Sequence, residues 1–404
     1  MKYILLVTLF ISNTFADYSM DEKIGQMILV GFRGSEIQPN HQVLKDIADY
    51  KIGSVILFDY DVKKRSKKRN IISPSQVSKL TSSLQTHSKV PLLITVDQEG
   101  GLVQRLKKRH GFAKVMAPGD VGKKDDASFT YKESQKLARD LKSVGINLNF
   151  SPSADVNTNP MNPVIGKIKR SYSKNPEKVA MHIREFIRSH RDLSIGTTIK
   201  HFPGHGSSKS DSHKGFVDVT ETWDELELIP FKSMIDEGNV DIIMSAHIFN
   251  GGLDPLYPGT LSKIVITDLL RGHMNYRGVI ISDDMNMSAI TDHYGFKRSI
   301  ELSINAGIDI LLYGNNLIYE KNIARKVHGA IKELIQEGKV TENQINESFN
   351  RIMNLKKKLK LINKFKMTST TKSTRSIAGQ SNVLDAEKIK KNKEIFIKIK
   401  QMDQ

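Results

Sequence analysis

Apolar residues in this chain gather into eight short runs rich in aliphatic and β-branched side chains, bounded by Gly, Asn or Asp: MILVGF at 27–32, SVILF at 54–58, LLITVD at 92–97, INLNFSP at 146–152, GTTIKHF at 196–202, VDIIMSAH at 240–247, VIISDD at 279–284 and DILLYG at 309–314. Between them lie stretches in which apolar residues recur at helical spacing, as at 132–144, 176–192, 221–237 and 262–274. Near-continuous apolar strands that alternate with helices call for parallel pairing with both sheet faces covered. Eight of them predict an α/β fold of the single (β/α)8 barrel type, with an open doubly wound sheet as the alternative. Two further helices are expected at 320–336 and 342–364, the second opened by Thr341 with Gln344 three residues on.

The ends of the chain carry different patterns. MKYILLVTLFISNTFA has one positive charge at Lys2, an apolar run too short to span a bilayer and a small-residue ending at Ala16, so 1–16 reads as a signal peptide and the protein as exported, periplasmic or secreted, with a cytoplasmic location as the alternative. The stretch 368–382 is Ser/Thr-rich and reads as a flexible linker, followed by a Lys-rich segment at 386–400. The expected organisation is a signal peptide at 1–16, a catalytic barrel at 17–364 and a basic low-complexity tail at 365–404.

Composition narrows the chemistry. With 404 residues, 39% hydrophobic and no cysteine, the chain is neither collagen-like nor disulfide-stapled, and a thiol nucleophile or a thiolate zinc site is excluded. The formal net charge of +17 is concentrated at one end: from Lys356 onward 14 Lys/Arg face 4 Asp/Glu, a net +10, which leaves +7 for the preceding 355 residues. The tail reads as a solvated segment or a weak contact for an anionic envelope, and the cluster DVKKRSKKRN around 63–69 as a solvated loop. Neither carries interleaved aromatics suited to stacking bases, so nucleic acid is not expected as a partner.

In a barrel of this type the active site is built from loops after the C-terminal strand ends. The third run ends in Asp97 with Glu99 and Arg105 close behind, the fifth in Lys200 and His201, the sixth in His247 and the seventh in Asp283 and Asp284. The segment KHFPGHGSSKSDSHKGF at 200–216 holds three histidines and an aspartate without strand or helix periodicity. Asp211, two residues before His213, can set that imidazole's tautomer and basicity, giving an acid/base pair. The same donors, His201, His205, Asp211 and His213, would also suffice for zinc, so the two readings stand side by side.

The segments ITVDQEGGLVQRL, FSPSADVNTNPMNPVIG, IKHFPGHGSSKSDSHKGF, DIIMSAHI and GVIISDDMNMSAI resemble glycoside hydrolase family 3, and within it the β-N-acetylhexosaminidase branch, in the correct order over roughly residues 20–363. The resemblance implies a single-domain barrel that releases N-acetylglucosamine from muropeptides or chitin-like oligomers with retention at the anomeric carbon, and no metal or other cofactor. It assigns Asp283 as nucleophile, His213 as acid/base and Asp211 as its partner. It places Asp97, Arg105 and Arg170 on the sugar, with Lys200 and His201 aimed at the same ring and His247 at the barrel mouth. Lys167 to Lys169 lengthen the loop before Arg170 relative to the family pattern. The chain is thus expected to act, as a monomer, on a GlcNAc-containing oligosaccharide. The alternatives are a zinc-dependent hydrolase and a non-catalytic protein that binds wall glycan.

Overall fold

The computed structural model describes residues 18–211 and 215–362. The signal peptide expected at 1–16, the tail at 365–404 and His213 lie outside the described residues.

Each of the eight apolar runs forms a strand: β1 (Ile28–Gly31), β2 (Ser54–Ile56), β3 (Leu93–Val96), β4 (Leu148–Asn149), β5 (Gly196–Phe202), β6 (Ile242–Ser245), β7 (Val279–Ile281) and β8 (Leu311–Tyr313). They pair in parallel in chain order. The ring closes because β8 also pairs with β1, with Ile28 opposite Leu311, and β7 meets the last run through a bridge between Ile281 and Ile310. Closure removes both sheet edges and leaves every strand residue buried, which is why these strands are apolar on successive positions rather than alternating.

The covering helices follow their sequence signals. Asp126 caps helix Ala127–Ser143 by accepting the Phe129 N–H, and Leu137, Ala138 and Leu141 turn inward. Asn175 caps Pro176–Arg191, where Pro176 occupies the first turn, the one place a helix tolerates it. Thr341 and Gln344 form the expected capping box of Glu342–Lys358. The stretch 221–237 is broken into a 3-10 turn, Glu225–Leu228, and a helix, Ile229–Asp236, because Pro230 has no N–H to continue a helix begun earlier. The stretch 262–274 appears as a π-helix at Ile264–His273. None of the described helices is long and apolar enough to cross a membrane.

Candidate active site

A cavity of about 520 Å³ opens at the C-terminal ends of β2 to β8. Its wall includes Asp97, Arg105, Arg170, Lys200, His201, Asp211, Asp283 and Asp284. Apart from His247, the strand-end residues singled out in the sequence at the third, fifth and seventh runs therefore converge, and Asp211 from the long loop joins them.

Lys200 and His201 are neighbours on β5, where side chains normally alternate between faces. A shift in pairing register with β6 between Lys200 and Phe202 lets both reach the cavity wall. Lys200 Nζ lies 2.9 Å from Asp97 and 2.8 Å from Glu99. Arg105 meets the other oxygen of Asp97 at 3.3 Å, and Arg170 grips Glu99 with two bonds of 2.8 and 2.7 Å. Burial raises the Glu99 carboxyl, but Arg170 and Lys200 outweigh it and hold it near 2. Burial likewise opposes ionisation of Asp97, and the Lys200 and Arg105 charges overcome it, leaving its pKa below the ordinary value. Lys200 is pulled down by burial and up more strongly by Asp97 and Glu99. The cavity floor is thus a fixed lattice of full charges, able to present charged donors and acceptors to vicinal hydroxyls without reorganising.

His201 is oriented from behind. Its Nδ1 lies 2.7 Å from Asp155, which also accepts the His201 and His205 backbone N–H groups. Burial pushes Asp155 up, and His201 and its hydrogen bonds bring it to about 2. The other ring nitrogen faces the Arg170 guanidinium at 3.3 Å. Both ring nitrogens of His201 are therefore engaged, one of them beside a cation. His205 meets Ser208 Oγ at 2.6 Å, and among the described residues no three His, Asp or Glu side chains converge as metal ligands. Burial, with the charge of His201 next, lowers the His205 pKa to about 4.

On the far wall Asp283 accepts the Asp284 N–H at 2.7 Å, while Asp284 accepts the Asn286 and Gly314 N–H groups, each at 3.0 Å. These backbone bonds fix the Asp-Asp turn at the end of β7. His247 is buried and is not among the residues that line the cavity; its Nδ1 meets Thr260 Oγ1 at 2.8 Å and its Nε2 the Asp284 carbonyl at 3.1 Å. It stands behind the Asp283–Asp284 turn.

Two buried carboxylates at this end escaped the sequence reading. Asp155 sits in the SADVN stretch, and Glu227 in a segment read as an ordinary helix. Glu227 accepts the Gly206 N–H at 2.7 Å from beneath the 203–211 loop, and burial, partly offset by bonds from Ser207 and Gly206, raises its carboxyl to about 7. A glycine-rich loop with an acid some twenty positions on was the available signal. Asn162 completes the support by donating to the His205 and Gly206 carbonyls at 2.7 and 3.0 Å.

Comparison with known proteins places this geometry. The description "Glycosyl hydrolase family 3 N terminal domain" matches residues 19–355. Beta-hexosaminidase A of Pseudoalteromonas piscicida is 32% identical over 336 residues, which cover 78% of this chain and 54% of that protein. A Beta-hexosaminidase of Tolumonas auensis is 36% identical over 270 residues, 66% of this chain and 76% of the relative. Among solved structures, a glycoside hydrolase family 3 beta-N-acetylglucosaminidase from Paenibacillus sp. superposes with a TM-score of 0.78 at 32% identity, covering 94% of this chain and 68% of that one.

Proposed function

Since the chain belongs to glycosyl hydrolase family 3, we propose that it is a retaining β-N-acetylhexosaminidase that removes terminal β-linked N-acetylglucosamine from peptidoglycan fragments or chitin-like oligosaccharides. The observation that carries this reading is the cavity itself: Asp283 on one wall faces a floor of interlocked charges on Asp97, Glu99, Arg105, Arg170 and Lys200. Relatives named beta-hexosaminidase support the same activity.

In this reading one sugar sits on the charged floor, where Asp97, Arg105, Arg170, Lys200 and His201 hold its hydroxyls and acetamido group. The Asp283 carboxylate attacks C1 as the glycosidic bond breaks, and the departing oxygen takes a proton from His213 on the 203–216 loop. The glycosyl ester on Asp283 is then opened by water, which gives its proton to His213 and restores both groups. A fixed anion beneath C1 both stabilises the oxocarbenium-like transition state and captures it. Asp211 sets the His213 imidazole for its two roles. The sequence at 1–16 supports export of the enzyme.

A 5-fluoro analogue of N-acetylglucosamine with an activated leaving group tests the assignment. Mass spectrometry of the trapped protein should place one sugar on the peptide containing Asp283; an adduct on any other residue overturns it. Hydrolysis of the p-nitrophenyl β-glycoside of N-acetylglucosamine should persist in EDTA, and its restoration by zinc after chelation would favour the metal reading instead.

A further inference from the structure

One histidine at this end of the barrel does not line the cavity. His247 lies two residues beyond β6 and is buried, whereas Asp283 and Asp284 are part of the cavity wall. Its contacts run sideways along the barrel mouth. On one side its Nδ1 stands 2.8 Å from Thr260 Oγ1, in the 3-10 turn Gly259–Leu261; on the other its Nε2 stands 3.1 Å from the Asp284 carbonyl oxygen.

The chemistry of these partners fixes the protons. A carbonyl oxygen can only accept, so the Nε2 that faces Asp284 carries hydrogen. In a neutral imidazole Nδ1 is then the acceptor, and the Thr260 hydroxyl is placed to donate to it. That hydroxyl is also 3.1 Å from the Ala246 carbonyl, but the same oxygen already receives the Thr260 N–H at 3.1 Å. Ser245 Oγ, 2.8 Å from Thr260 Oγ1, supplies the next donor. The donors thus point one way, from Ser245 at the end of β6 through Thr260 and His247 to the turn after β7. Ser245, Thr260 and His247 are all buried, where a chain of hydrogen bonds is stronger than in water.

Residue 284 is where this chain meets the Asp283 carboxylate. Its N–H holds Asp283 Oδ1 at 2.7 Å, and its side chain accepts the Asn286 and Gly314 N–H groups. Its carbonyl accepts the Met287 N–H at 2.9 Å. Gly314 follows β8 and His247 follows β6, so the turn at the end of β7 is gripped from both neighbouring strands. The carboxylate of Asp283 is placed by residue 284, and residue 284 is placed in part by His247.

We propose that His247 is a positioning residue: a neutral imidazole, its tautomer set by Thr260, that braces the backbone of residue 284 and so aims the Asp283 carboxylate at C1. This rests on the proposed role of Asp283 as nucleophile. A displacement of about 1 Å at a reacting group can cost on the order of 100-fold in rate. The sugar is held by the opposite wall, so the loss belongs to kcat and not to binding.

The test uses the full-length protein and the p-nitrophenyl β-glycoside of N-acetylglucosamine. His247→Gln can put an amide N–H near the place of Nε2, whereas His247→Asn puts its amide near Nδ1 and serves Thr260 but not Asp284. His247→Asn should lower kcat by about 10- to 100-fold, with KM and the inhibition constant of free N-acetylglucosamine changed by less than about threefold, and His247→Gln should recover most of that loss. Thr260→Val, which removes only the hydroxyl that sets the tautomer, should lower kcat by roughly 3- to 10-fold in the same pattern. Labelling of Asp283 by the 5-fluoro analogue should slow in step with kcat. The proposal is overturned by a kcat within about twofold of the unmodified protein in both His247→Asn and Thr260→Val, by a Gln variant no better than the Asn variant, or by sugar binding that weakens as much as kcat falls. A label on a residue other than Asp283 in the unmodified protein would instead sink the proposed function.

Discussion

At the scale of single residues, the site depends on charges whose ionisation the fold has already decided. His213→Ala should slow hydrolysis of an alkyl or sugar glycoside by roughly 10²- to 10⁴-fold, the usual worth of a positioned proton donor. The glycosylation step on an activated aryl glycoside, whose leaving oxygen needs no proton, should suffer far less, so a burst of phenolate followed by slow turnover is the expected trace. Equal losses on both steps and both substrates would remove His213 from the role. Glu227 carries a pH signature. Its carboxyl titrates near 7 in the fold against an ordinary value of 4.5, so between those limits the folded protein holds a proton that the unfolded chain has released. Stability associated with Glu227 is therefore full below about pH 4.5 and declines as pH rises towards 7, by about 2 to 4 kcal/mol. Urea unfolding at pH 5 and pH 8 should show Glu227→Gln gaining on the unmodified protein by that margin, and parallel curves would show that the group is not set as described. Asp97, Lys200 and Asp283 stood out in the sequence because each sits at the end of an apolar strand, where a charge has few purposes other than contact, and Arg105 because it follows the Asp97 strand end closely. Asp155 and Glu227 were not, since a carboxylate in a loop or beside a helix reads as a cap until the barrel brings it under His201 or Gly206.

At the scale of elements, the strands were legible for a reason particular to closed parallel sheets: burial on both faces makes each strand a continuous apolar run. Helix limits were less so. Helix Ala127–Ser143 starts five residues before the stretch at 132 because Asp126, rather than the first apolar repeat, sets its first turn. Pro230 splits the 221–237 stretch. The element on which the proposed mechanism leans most is the 203–211 loop, whose shape is enforced from below. A Cβ on Gly206 would stand 1.7 Å from the Val156 carbonyl oxygen, and Gly204 has φ of 120°, which other residues rarely adopt. Asn162 is the peg that holds this loop to the 159–170 segment: its amide donates to two loop carbonyls while its oxygen accepts the Val164 and Ile165 N–H groups. Asn162→Ala strands those four buried backbone groups and should cost about 2 to 4 kcal/mol. Its diagnostic is local: hydrogen exchange across 203–211 should quicken and kcat should fall more than KM rises, while the opposite barrel wall keeps its protection. Uniform loosening of the whole chain would show that Asn162 is merely a core residue.

At the scale of the whole molecule, the candidate site occupies one end of the barrel and the other end is stoppered by the meeting of the chain's first and last described helices. Lys356, on helix Glu342–Lys358, is wholly buried and reaches Gln26 Oε1 at 2.6 Å and the Gly53 carbonyl at 3.1 Å. Helix Met20–Gln26, the turn before β2 and the C-terminal helix are thereby joined through one ammonium group that has no carboxylate within ion-pair distance among the described residues. Burial lowers its pKa from 10.5 to about 7. The sign then follows: between pH 7 and 10.5 the unfolded chain keeps a proton that the folded protein has shed, so stability climbs with pH across that window and the cost of the buried charge is largest at or below pH 7. The span amounts to about 3 to 5 kcal/mol. Lys356→Met removes the titration but leaves the Gln26 and Gly53 oxygens unpaired, at about 1 to 3 kcal/mol each. The variant should therefore compare most favourably with the unmodified protein at pH 6.5 and lose ground steadily by pH 10. Lysines and tyrosines that titrate alike in both proteins cancel in that comparison. Urea unfolding at the two pH values measures it, and a stability difference that stays constant would mean that Lys356 remains charged inside the closed end of the barrel.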